Sequence, residues 1–88
     1  MDNKELLKEV KSLLLINIED EDFDRGLLPK VIAAKCYIQN AGASPDSLKS
    51  ELGITCIAIG VNDLLNQDTG KTQFSPAFFT FANQIARL

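Results

Sequence analysis

The dipeptide Ser-Pro occurs twice in this chain, at Ser44-Pro45 and at Ser75-Pro76. Each is a place where a helix starts. The serine hydroxyl accepts a hydrogen bond from a free N–H of the first turn. Proline fits the next position because no donor is needed there and its φ is already helical. The chain is 88 residues long, enough for one domain. Two fixed helix starts therefore govern its second half.

The first half has two acidic starts. Asp2 precedes Glu5 by three residues, a capping-box-like pair. Leu6, Leu7, Val10, Leu13 and Leu14 then follow helical spacing and form one apolar face, with Lys4, Lys8 and Lys11 off it. This helix is expected to stop near Leu15, where Ile16-Asn17-Ile18 begins a less regular link. Glu19–Asp24 reads as a short acidic loop in which Asp20, Asp22 or Asp24 caps a second helix. That helix runs to about Ala41 and ends at Gly42. Leu28, Val31, Ile32, Ala34, Cys36, Ile38 and Ala41 give it a broad apolar face. Gly26 and Pro29 predict an irregular or kinked opening.

The third helix is expected over roughly residues 45–66. Its middle, Ile54–Val61, is nearly all apolar, and periodicity alone does not separate a buried helix from a buried strand there. Leu48, Leu52, Ile59 and Leu64 extend the helical pattern on both sides and favour helix. Gly53 and Gly60 then permit close helix–helix approach or mark a bend. Gln67–Phe74 is a polar loop. Phe74, just before the Ser75 cap, and Phe79, at the fourth helical position, have the spacing of a hydrophobic staple. Phe78, Phe81, Ala82, Ile85 and Leu88 line one face of the last helix. The fold class is all-α, a compact bundle of about four helices in a single domain. Leu14, Ile32, Ile38, Ile57, Leu64, Phe78 and Ile85 are expected in its core.

Composition narrows the chemistry. There is no histidine, the commonest general base and metal ligand. Asp20, Asp22 and Asp24 have the spacing of calcium-loop ligands, but Arg25 replaces the required glycine and Val31 the terminal glutamate. Gly70-Lys71-Thr72 resembles the end of a phosphate loop, but Leu65 stands where its first glycine belongs. Cys36 and Cys56 sit among apolar residues, which reads as two reduced core thiols. No enzyme, cofactor or metal site is expected. The opening residues lack a basic segment followed by an apolar core, so no secretory signal is expected. Uninterrupted apolar stretches such as Leu13–Ile16 and Ile57–Ile59 are too short to cross a bilayer.

Charge is unevenly spread. The first 24 residues hold eight acids against three lysines, a balance of −5, and the remaining 64 hold four acids against six bases, a balance of +2. No dense basic stripe marks a nucleic-acid binder. A small helix-turn-helix reader would need outward polar side chains on its recognition helix. The third helix has only Lys49 as a base, and the last helix offers Asn83, Gln84 and Arg87.

Several runs carry a family likeness. They are the opening Glu5–Lys11 helix with its link Leu15–Ile18, the acidic stretch Glu19–Asp24 leading into Leu27–Ile38, and within it Ala33-Ala34-Lys35-Cys36-Tyr37-Ile38. An apolar helix from Leu48-Lys49 to Asn62-Asp63-Leu64-Leu65 and a closing helix from Ser75-Pro76 to Arg87-Leu88 complete the pattern. Over nearly its full length the chain resembles the small head–tail connector proteins of tailed bacteriophages and prophages, also called head-completion or DNA-packaging adaptor proteins.

That resemblance implies a virion structural protein, assembled in the bacterial cytoplasm and located at the head–tail interface. It implies a ring of copies beneath the portal protein that extends the DNA channel, helps to retain packaged DNA and presents a docking surface to tail or stopper proteins. Contact with packaged DNA would be non-specific at most, and no membrane is involved. Lys71, Phe74, Phe79 and Arg87 are the candidate partner-binding residues, against the simpler reading that the two phenylalanines only staple their helix. Glu19, Asp20, Glu21, Asp22 and Asp24 are candidates for an acidic channel wall or subunit surface. The alternatives are a small phage or bacterial protein-interaction module using an apolar groove and, further off, a DNA-binding regulator.

Overall fold

Two short turns, at Leu15 and at Gly42, fold the first half of the chain back on itself. The computed structural model describes residues 2–66 and 74–87. Five helices are present among them: α1 (Asn3–Leu13), α2 (Glu21–Asn40), α3 (Pro45–Lys49), α4 (Glu51–Leu65) and α5 (Pro76–Ala86). No strand occurs among the described residues. The protein is all-α, as the helix starts predict.

The starts are made by the residues the sequence singles out. Asp2 accepts from Glu5 N–H at 2.8 Å, Ser44 from Ser47 N–H at 3.1 Å and Ser75 from Phe78 N–H at 3.2 Å. Of the three aspartates offered for α2, Asp20 is the cap, accepting from Asp22 N–H at 2.8 Å. Glu21, Asp22 and Asp24 therefore belong to the first turn of α2 rather than to a loop. There their charge meets the positive end of the helix dipole.

Both ends of the α1–α2 pair close in the same way. After α2, Ala43 N–H reaches Ile38 C=O at 3.2 Å and Gly42 N–H reaches Gln39 C=O at 3.0 Å, with Gly42 at φ +115°. After α1, Ile16 N–H reaches Lys11 C=O at 2.9 Å and Leu15 N–H reaches Ser12 C=O at 3.2 Å. These are paired Schellman closures. The second places Leu15, not a glycine, in the left-handed region at φ 58°.

One expectation about α2, the make-up of its apolar face, is corrected. Pro29 lies inside the helix, which starts eight residues earlier and runs continuously through it. Pro29 and Arg25 are both exposed, so the Arg25 carbonyl that loses its helical donor lies on the solvent side. The buried stripe is Leu27, Val31, Ala34 and Ile38, a clean i, i+4, i+7, i+11 series. Cys36 and Ala41, expected on the apolar face, are exposed, and Ile32 is half-buried.

The expected third helix is two helices. Ser50, extended at φ −69° and ψ 161°, ends α3 and caps α4. Its hydroxyl donates to Ser47 C=O at 2.6 Å and accepts from Gly53 N–H at 3.1 Å, so one side chain closes one helix and opens the next. A Cβ at Gly53 would overlap the Ser47 carbonyl oxygen, which is why the corner needs glycine. The break resets the helical phase. Leu52, expected to continue the apolar face of Leu48, is 53 % exposed.

α4 is the centre of the bundle and touches each of the other four helices. Gly53, Ile54, Cys56, Ile57, Ala58, Gly60 and Val61 are all buried, which accounts for its nearly unbroken apolar sequence. At Gly60 a Cβ would come within 2.8 Å of Phe78 Cε2 and 3.0 Å of Ala34 Cβ. Its absence lets α2 and α5 close on α4. Of the predicted core, Ile38, Ile57, Phe78 and Ile85 are buried, and Leu14, Ile32 and Leu64 are half-buried. Each fully enclosed large side chain contributes roughly 1.5–3 kcal/mol of transfer free energy.

Candidate interaction surfaces

The lead-in to α5 is held from two sides. Ser75 donates both its N–H, at 3.0 Å, and its hydroxyl, at 2.7 Å, to Asp63 Oδ2 near the end of α4. Phe74 lies edge-on to Phe79, with centroids 6.2 Å apart and planes at 87°, so the hydrophobic staple forms. Both rings also meet Tyr37 of α2, at 5.7 and 5.2 Å, and Phe74 stacks on the enclosed Phe78 at 4.2 Å. Such aromatic pairs each add roughly 0.5–1.5 kcal/mol beyond area burial. Tyr37, within the Ala33–Ile38 run, is thus the α2 residue that meets the rings of α5 and its lead-in. Phe74 and Phe79 are half-buried and support the fold. Their outer surface remains at the protein boundary beside Tyr37, which is 36 % exposed. Arg87 is the exposed C-cap of α5. Lys71 lies outside the described residues. Asn83 and Gln84 are exposed on α5.

The acidic residues form a surface at the opposite end of α2. Glu19, Asp20, Glu21 and Asp22 are exposed, and Arg25 lies 3.3 Å from Asp22 and 3.8 Å from Glu21. Asp24 differs from the rest because Lys11 of α1 donates to it at 2.8 Å. Lys11 also donates to the Ile18 carbonyl at 2.6 Å and lies 5.8 Å from the Phe23 ring centroid. This lysine, read from sequence only as lying off the apolar face, ties α1, the link and α2 together.

Beside the acids is an exposed apolar corner. Leu13 is 50 %, Leu15 84 % and Ile18 49 % accessible. Leu13 was expected on the buried face of α1, but it is exposed while its neighbour Leu14 packs against the core. The sequence does carry a signal here. Four consecutive apolar residues, Leu13–Ile16, are more than one helical face buries. A broad open groove runs from this corner between α1 and the start of α2.

A second hollow, of about 100 Å³, opens at the other end of the α1–α2 pair. Leu6, Leu48 and Ile57, all buried, line it together with Pro45, Lys35, Gln39 and Lys49. Lys35 donates to Asn3 Oδ1 at 3.4 Å. Among the described residues neither lysine pairs with a carboxylate.

No group of three or more His, Cys, Asp or Glu is placed to hold a metal among the described residues. Cys56 is enclosed in the core, and burial pushes its thiol from 9.0 up to about 12. Cys36, expected in the core, is exposed on α2, and neither cysteine forms a disulfide. No described helix is long and apolar enough to cross a membrane. No family model matches the chain, and no curated protein and no solved structure matches it either.

Proposed function

We propose that this chain is a non-catalytic structural adaptor of a tailed bacteriophage or prophage virion, working as a ring at the portal vertex. The ring joins head to tail, extends the DNA channel and contacts packaged DNA only without sequence preference. Its neighbours are the portal protein and tail or stopper proteins. The reading rests on the sequence resemblance over α1, α2, α4 and α5. The observation that carries it furthest is the exposed corner of Leu13, Leu15 and Ile18 beside the acidic first turn of α2. Apolar side chains grouped in water on so small a domain mark a contact surface, and the adjoining acids give that contact a sign. On this reading Phe74, Phe79 and Arg87 face a neighbouring protein at the other pole.

The test is electron microscopy of particles from the parent phage or induced prophage lacking this gene. Separate tails, with heads that package DNA and then lose it, support the adaptor. Normal joined virions overturn it. The groove between α1 and α2 favours a second reading, a module that binds one helical partner segment. That reading gives a defined small complex rather than a ring.

A further inference from the structure

We propose that copies of this chain associate head to tail, with the Leu15–Ile18 corner of one copy seated on the Leu6/Leu48/Ile57 hollow of the next. The proposal rests on the self-assembly part of the reading above and is independent of the virion part. It also assigns the acidic turn to the subunit contact rather than to a channel wall.

The two surfaces lie at opposite ends of the α1–α2 pair. α1 and α2 run antiparallel: Lys11 meets Asp24 at one end, and Asn3 meets Lys35 at the other. At 1.5 Å per residue, the corner and the hollow are separated by roughly 13 Å along α1 and about 16 Å along α2. Surfaces placed this way do not meet within one molecule. Between copies, unless two of them pair reciprocally as a closed dimer, they make a heterologous contact, which propagates and closes into a ring if the rotation allows.

They are also complementary. The corner offers Leu15 and Ile18, both largely in water, flanked by Glu19 and Glu21. The hollow offers an apolar floor of a size that admits a small apolar group, flanked by Lys35 and Lys49. Seating one on the other removes exposed aliphatic surface from water and sets two acids against two lysines that have no carboxylate partner among the described residues. The Leu15 backbone fits this role. A leucine held at φ 58° with its side chain in water gains nothing for the lone fold that glycine would not supply.

Sedimentation velocity of the full chain, from micromolar to millimolar, tests the contact. Association beyond the dimer that weakens with added salt is expected. Leu15→Ser, at an exposed site, is expected to weaken it about tenfold or more while melting cooperatively. A Lys35→Glu/Lys49→Glu chain and a Glu19→Lys/Glu21→Lys chain should each stay monomeric, and their equimolar mixture should associate again. A wild type that is monomeric at millimolar concentration, a dimer that closes without growing, or a mixture of folded variants that fails to associate overturns the proposal. Association of the pure protein alongside normal virions from the gene deletion would sink the adaptor reading and leave this contact standing.

Discussion

Asp63 Oδ2 accepts two hydrogen bonds from one residue, Ser75: the backbone N–H at 3.0 Å and the hydroxyl at 2.7 Å. The same hydroxyl accepts from Phe78 N–H at 3.2 Å. The start of α5 is therefore capped by a serine that is itself aimed by a carboxylate of α4.

Ser75→Ala removes the cap and the hydroxyl donor to Asp63, which keeps only the backbone N–H of residue 75. We expect a loss of about 1–3 kcal/mol in urea denaturation. Asp63→Ala should cost a similar amount, and the double variant less than the sum of the two. Strict additivity would show that the two residues are not coupled.

The same substitution should have three outcomes at three glycines. Gly53→Ala drives a methyl into the Ser47 carbonyl, which is backbone and fixed by the Ser50 corner, and is expected to cost about 3 kcal/mol or more. Gly60→Ala meets the enclosed Phe78 ring at 2.8 Å and should cost about 1–3 kcal/mol. Gly26→Ala meets nothing within 4 Å on exposed α2 and should stabilise by about 0.5–1 kcal/mol. Thermal melts of the three variants, side by side, check the order.

Leu15→Gly should stabilise the isolated fold. The left-handed conformation costs leucine roughly 1–2 kcal/mol, and glycine loses part of that advantage through its freer unfolded chain. A net gain of about 0.5–1 kcal/mol is expected from the denaturation midpoint, because the lost side chain is 84 % exposed. No gain would mean that Leu15 packs in the monomer.

The two thiols should differ in reactivity. Cys36 is exposed and should react with a thiol reagent at neutral pH, whereas Cys56 should react only on unfolding. Cys56 also gives a pH dependence. Its folded pKa, about 12, lies above the ordinary 9.0. Below pH 9.0 both states hold the proton and stability is flat. Between 9.0 and about 12 the unfolded thiol ionises while the folded one stays neutral, so stability falls as pH rises, by at most about 1.4 kcal/mol per unit. Comparing the wild type with Cys56→Ala isolates this slope from the lysines and Tyr37. Equal slopes would refute it.

Local chemistry was sufficient for three of the five helix starts. Asp2, Ser44 and Ser75 cap as their neighbours in sequence require, and Phe74 and Phe79 staple α5, because each involves residues within five positions of one another. The all-α class follows from those starts and from helical spacing in α1 and α5. Which acid caps α2, and where the third helix breaks, did not follow from local sequence. Asp20, Asp22 and Asp24 are equivalent caps until Lys11 of α1 takes Asp24, a contact 13 residues distant. The Ser50 corner brings Gly53 so close to the Ser47 carbonyl that no Cβ fits there. Leu48 and Leu52 keep helical spacing in sequence, yet the corner turns Leu52 into water. The candidate surfaces show the same division. Sequence alone placed the acids together. Tertiary structure decided that Phe74 and Phe79 pack against Tyr37 and Phe78, and that Leu13, Leu15 and Ile18 stand outside. Burial on a helix bundle is settled by which neighbour covers each turn, and that neighbour is brought from elsewhere in the chain.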